Sequence, residues 1–268
     1  MQKRTIIISI LLSIVVYIIG ITLSYYSYLT EDGIFGFDYN IYHTAVTAYW
    51  RGESPYGGSW FFYLNYFFYL CAWMYLLPFL IGMILYIIIT EIMFYFILRD
   101  INTVYHEGWY YGNVIVIIGA FITLNTDIWS TFAFFMYYKY RDKWYSPFFF
   151  FLSFFKATAI IAAALLYIVN LIFEKKIRWN QIPAFAVVLG IVFLSYLTSE
   201  GLHEDVAVGV QWGLLVQMPH LMWWSISLFA FTQYKQYSKK SLTKIWVGYC
   251  ICQLIYGSIW LIWFFSVG

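Results

Sequence analysis

The sequence predicts an all-α polytopic integral membrane protein, read as a single domain over residues 1–268. Three observations predict it. Only 10% of the residues are charged and 63% are hydrophobic, whereas a soluble domain carries roughly 25% charged residues to cover its surface. A quarter of the chain is aromatic, including 13 tryptophans and 27 tyrosines, ample material for the belts that form at membrane–water interfaces. The apolar residues also fall in stretches bounded by charge, the pattern of bilayer-crossing helices. A net charge of +2 offers no basic surface for nucleic acid.

About nine spans are expected. Thr5–Tyr28 follows Lys3 and Arg4, as in a signal peptide. Its apolar run is too long for one and no small-x-small pattern closes it, so an uncleaved signal anchor with a cytosolic N-terminus is expected. Residues 29–77 make the first outer loop. The remaining spans are Pro78–Leu98, Trp109–Leu124, Ile128–Tyr138, Tyr145–Phe155, Ala157–Phe173, Ile182–Thr198, Leu221–Tyr234 and Ile245–Val267, with residues 181–268 as the C-terminal helices. Spans shorter than 20 residues require shielding by neighbours or a locally thinned bilayer.

Trp60–Leu77 is apolar too, but counting it as a span would invert every later loop. It is placed as a helix lying in, or dipping into, the outer interface. Thirteen of the 15 Lys and Arg residues then share the side of the N-terminus, with Arg51 and Lys156 opposite, as the positive-inside rule requires. Eight of the 13 carboxylates (Glu31, Asp32, Asp38, Glu53, Asp127, Glu200, Glu204 and Asp205) fall on the far face. Acidic residues do not set topology, so their gathering points to chemistry facing outward. Cys71, Cys250 and Cys252 read as small buried side chains without metal or redox spacing.

The first outer loop is the most informative segment. Read as a helix, it puts Asn40, His43, Thr44, Thr47 and Arg51 on one face and Ile41, Tyr42, Ala45, Ala48 and Tyr49 on the other, an interfacial amphipathic pattern. Gly52 and Pro55 terminate it. Asp38, at its start, reads either as an N-cap or as a reactive carboxylate. Ile41 rather than Glu or Gln follows three residues on, so no capping box forms.

Asp38-Tyr39-Asn40-Ile41-Tyr42-His43-Thr44-Ala45, then Gly52-Glu53-Ser54-Pro55-Tyr56, resembles the D-[FY]-x-x-[YF]-x-x-A and G-x-S-P-Y pattern of the GT-C glycosyltransferases. In pattern it is most similar to their polyprenyl-phosphate-mannose-dependent mannosyltransferases. Tyr63 matches a following Tyr-Pro-Pro segment whose prolines are absent here. Asn125, Asp127 and Lys156 match polar positions flanking a short helical hairpin, and Ala157 replaces the family's proline. The resemblance covers about residues 1–175.

It implies a GT-C-like bundle with interfacial helices in the first outer loop. It also implies inverting transfer of a sugar, mannose by the nearest pattern, from a polyprenyl-phosphate donor to a lipid-linked or glycan acceptor hydroxyl. Asp38 is the implied general base. Tyr42, His43, Arg51, Tyr56, Tyr63, Asn125, Asp127, Lys156 and His203 are the candidate substrate contacts. Lys156 reads equally as a snorkelling lysine, and His203 as part of a solvated loop. No metal or other cofactor is expected, since adjacent His203, Glu204 and Asp205 lack ligand spacing. A nucleotide-sugar donor is not expected, because no Gly-rich phosphate loop is present. Glu91 reads as an intramembrane acid turned to a partner inside the bundle. The rival functions are a transporter or flippase of a lipid-linked substrate, which would favour broken helices and duplicated halves, and a structural subunit.

Overall fold

The computed structural model describes residues 3–28, 36–56, 63–100, 124–156, 159–160, 163–164, 167 and 177–199. Expectations for Leu221–Tyr234, Ile245–Val267, most of Trp109–Leu124 and of Ala157–Phe173, and for Glu31, Asp32, Glu200, His203, Glu204, Asp205, Cys250 and Cys252, lie outside them. Among the described residues the chain is helical, without a β-strand.

The first helix, α1, covers Lys3–Tyr28. α2 covers Phe37–Trp50, and α3 and α4 are the short helices Tyr66–Leu70 and Trp73–Leu76. The expected interfacial helix over Trp60–Leu77 is thus broken in two, neither piece long enough to span. α5 covers Phe79–Asp100. α6 covers Asp127–Lys139, a 3₁₀ helix covers Ser146–Leu152, and α7 covers Ile182–Leu197.

Among the described residues, two helical segments, Phe79–Arg99 and Trp179–Leu197, are long and apolar enough to cross a membrane. Their exposed faces are apolar. On α5, Leu80, Ile81, Ile84, Ile88 and Ile92 form one exposed stripe, while Met83, Tyr86, Ile87, Thr90 and Phe94 form the buried one. A surface helix of a soluble protein reverses that polarity.

α6 and the 3₁₀ helix differ from the expected spans Ile128–Tyr138 and Tyr145–Phe155. Thirteen α-helical residues rise about 20 Å and seven 3₁₀ residues about 14 Å, both short of a core of about 30 Å. The two pack together as a hairpin. Phe150 contacts Phe134 and Tyr137 at ring-centroid distances of 5.5 and 4.6 Å. Phe185 of α7 closes on Phe150 and Tyr137 at 5.8 and 6.0 Å. Pro147, in the first turn, suits a helix start whose N–H would lack a partner anyway.

At the turn end of the hairpin, Gln181 is 1% exposed and fully engaged. Its amide donates to the carbonyls of Arg141 and Lys143 and to Ser146 Oγ, and its oxygen accepts from Tyr137. α5 joins α6 through stacked Tyr86 and Trp129 and through the indole N–H of Trp129, which donates to Thr90 at 2.9 Å. Glu91 lies beside Ser13 and Tyr17 of α1, but neither of its carboxylate oxygens meets a hydrogen-bond partner among the described residues, so the expected pairing is not formed.

The start of α2 decides the role of its first acid. The N-cap is Gly36, in the left-handed region at φ 69°, and no side chain caps the helix. Asp38 lies inside the first turn, so the capping reading does not apply. Tyr39, Tyr42, Ala45 and Val46 form the buried face. This adds Tyr39 and Val46 to the expected apolar side, while Thr47 and Ala48 are both half-buried. The helix closes with Glu53 N–H to Ala48 O and Gly52 N–H to Tyr49 O, with Gly52 at φ 78°, the paired bonds of a glycine-terminated helix. α2 rests on α5 so closely that a Cβ on Gly82 would lie 2.5 Å from the Tyr39 hydroxyl.

Candidate functional site

Four candidates meet at the start of α6. Leu124 enters the turn with φ 57°, uncommon for a non-glycine residue and tolerated where the surroundings fix it. It is fully buried and lies within contact distance of where a Gly36 side chain would stand. The next residue, Asn125, folds its side-chain oxygen back to accept the Asp127 N–H at 3.0 Å, the local bond that makes Asn a turn residue. Its amide nitrogen then reaches α2 and donates to Asp38 Oδ2 at 2.8 Å.

Lys156, immediately after the hairpin, completes the cluster. Its ammonium donates to Asn125 Oδ1 at 2.8 Å and to Asp127 Oδ1 at 2.7 Å. The two side chains of the ion pair are 17% and 14% exposed. Burial alone would lower the Lys156 pKa. The charge of Asp127, helped by Tyr63 and Asp38, outweighs that and holds it above the ordinary lysine range. Lys156 therefore stays charged, which a snorkelling lysine with only water around it would not require these partners to ensure. The ammonium also stands 5.7 Å from the Tyr63 ring centroid, within cation–π range.

Beneath the charges lies a floor of hydroxyls. Tyr42 and Tyr63 share a hydrogen bond of 2.9 Å, and Tyr63 reaches Thr126 at 3.4 Å. Burial raises both phenol pKa values, so both are neutral donors at working pH. Tyr42 is on the Asp38 face of α2 because the two are four residues apart.

Three candidates stand apart. His43 is half-buried against Phe79 at 5.0 Å and points about 140° around α2 from Asp38. Its pKa is lowered by burial and then by Arg51. Arg51 is exposed at the far end of α2, about 20 Å from Asp38 along the axis. Tyr56 is 5% exposed. Its hydroxyl shares its proton between Tyr63 O and Asn65 Oδ1, at 2.9 and 3.0 Å, and burial pushes its pKa up to about 12.

Sequence reasoning missed the clasp beside Tyr56. Asn65 Nδ2 donates to the Thr198 carbonyl, and Ser199 and Ser195 accept the backbone N–H groups of Asn65 and Tyr66. The signal was the hydroxyl cluster Ser195, Thr198 and Ser199 at the end of an apolar run. Thr126, fully buried, was also missed. Among the described residues, no group of three His, Cys, Asp or Glu side chains is placed to hold a metal.

With two carboxylates and one ammonium, the ionised cluster carries a net charge of −1. That suits acceptance of a proton from a hydroxyl, with one fixed cation within reach of a developing anion. Comparison with known proteins finds no family model, no curated protein and no solved structure that matches the chain.

Proposed function

We propose that the protein is a membrane glycosyltransferase of GT-C type, moving a sugar, mannose in the reading favoured here, from a polyprenyl-phosphate donor to a lipid-linked or glycan acceptor hydroxyl. The observation that carries the proposal is the cluster of Asp38, Asn125, Asp127 and Lys156, drawn from α2, the α6 turn and the segment after the hairpin. Those are the polar positions that the sequence pattern shares with the family. Asp38 takes the acceptor proton as the acceptor oxygen attacks the anomeric carbon from the face opposite the phosphate. The sugar–phosphate bond breaks with inversion, and the leaving phosphate gains one negative charge, which Lys156 offsets.

The proposal places the N-terminus in the cytosol and the cluster on the extracytoplasmic or luminal face, with α6 and the 3₁₀ helix entering the bilayer as a paired hairpin in place of two of the nine expected spans. Purified protein is to be supplied with polyprenyl-phosphate mannose and a membrane lipid extract as acceptor. Appearance of a mannosylated lipid of inverted anomeric configuration is the expected result. Donor that survives intact, alone and with acceptor, would remove the proposal. Cysteine labelling at Ser59 and Ser238 tests the topology, because both residues labelling from one side contradicts it.

A further inference from the structure

Asn125 holds an unusual place among the four residues, because it carries no charge and yet touches all three that do. Its amide orientation is fixed by its neighbours. An ammonium and a backbone N–H can only donate, so the side of Asn125 that meets Lys156 Nζ at 2.8 Å and Asp127 N at 3.0 Å must be the oxygen. The nitrogen is therefore turned to Asp38 Oδ2. A flipped amide would set donors against donors on one side and oxygen against carboxylate on the other.

We propose that Asn125 is a positioning residue whose amide couples the Asp38 carboxylate to the Lys156 ammonium while keeping the two apart. It rests on the glycosyltransferase reading, and it assigns Asn125 a task other than substrate contact. A lysine bonded directly to Asp38 would hold the carboxylate so firmly that it would be a poor base. Without the amide, the carboxylate beside the phenols of Tyr42, Tyr63 and Tyr86 would lose a hydrogen bond to its charged form and would take a proton more readily. The amide lies between these extremes. It donates one hydrogen bond to the charged form of Asp38, and its dipole is strengthened by the cation bonded to its oxygen. The buried left-handed turn at Leu124 holds the amide there, so the carboxylate keeps one orientation.

Asn125→Asp separates this role from a structural one. It retains an oxygen for Lys156 and for the Asp127 N–H, so the turn survives, but it places an acceptor where Asp38 needs a donor. Asn125→Leu removes both functions. The readout is the pH dependence of dicyclohexylcarbodiimide labelling at Asp38 in the full chain in detergent, since the reagent attacks protonated carboxyls, with peptide mapping to distinguish position 38 from position 125. The labelling midpoint at Asp38 is expected to rise by about one pH unit or more in Asn125→Asp, because neighbouring carboxyls cannot both ionise freely. It should rise less in Asn125→Leu. Midpoints within about 0.3 unit of wild type in both variants, or an Asp38 that stays unlabelled in both down to about pH 4, would overturn the proposal.

Transfer from polyprenyl-phosphate mannose gives the second readout. At saturating donor, kcat should fall about 10- to 100-fold with the donor KM unchanged. If the wild type transfers no sugar, the functional reading fails by itself while the labelling midpoints still decide the role of Asn125.

Discussion

The two ends of α6 carry polar clusters built on different rules. At the Asp127 end, three ionisable groups and an amide come together from three segments, and the ion pair keeps some exposure, 17% and 14%. At the Lys139 end, the neutral Gln181 is buried, with its donors and its acceptor satisfied by two carbonyls and two hydroxyls. A neutral network with every partner supplied costs little to bury and fixes geometry. A charged cluster left partly open is expensive to hold together, and that is the usual mark of a site kept for chemistry. One end of the helix acts as a staple. The other carries the proposed reactive cluster.

The sharpest way to break this contrast is Asp38→Asn. Asp38 does not cap α2, so Tm should stay within a degree or two while turnover falls by about 10²- to 10⁴-fold, roughly 3–5 kcal/mol of barrier. Normal turnover with normal stability would shift the base to Asp127 or to the carboxylates beyond α7. Next is Lys156→Met, which leaves Asp127 without its cation. Breaking a largely buried pair costs of the order of 3 kcal/mol, so both Tm and turnover should fall, and adding Asp127→Asn should recover stability but not activity. If the double variant recovered activity, Lys156 would have no part in the reaction.

Gln181→Met probes the other end. It deprives the Arg141 and Lys143 carbonyls of a donor and should cost about 1–3 kcal/mol in denaturant or thermal unfolding, with turnover per folded molecule unchanged. A specific loss of turnover would make the staple part of the active site. The smallest effect belongs to His43. Its folded-state pKa is lowered by burial and by Arg51, so its contribution to stability is present above its ordinary value near 6.5 and is lost as the pH falls through the lowered value. Melting curves should show a small decline as the pH falls below about 6.5, flattened in His43→Gln.

The charged end was far more legible in the sequence than the neutral one. Asp38, Asn125, Asp127 and Lys156 stand out because polar residues in an apolar chain need a reason, and charge can be counted along a sequence. α5 and α7 are visible as long apolar runs, broken near the middle of α5 by Thr90 and Glu91. Gln181 was invisible because a lone amide at the head of a span is indistinguishable from a loop residue until its partners, about 40 positions away, are in place. The hairpin was misjudged because Phe148, Phe149, Phe150 and Phe151 have the apolarity of a span but, behind Pro147, form only a short 3₁₀ helix packed on α6. Arg51 was grouped with the site because proximity in sequence on one helix does not reveal that 13 residues carry a side chain about 20 Å along the axis.

The hairpin between the two clusters acts as a ruler. Gln181 pins one end of α6 to α7, while the charged end must bring Asp127 and Asn125 to Lys156 with bonds of 2.7 and 2.8 Å. A helix cannot be lengthened by less than one residue, and each added residue shifts everything beyond it by about 1.5 Å and turns it by about 100°. The register of α6 is therefore fixed in whole steps. A single alanine inserted after Phe135 would leave the charge unaltered, yet it should disengage one cluster or the other. Separate assays of transfer and of thermal stability would reveal which end yields.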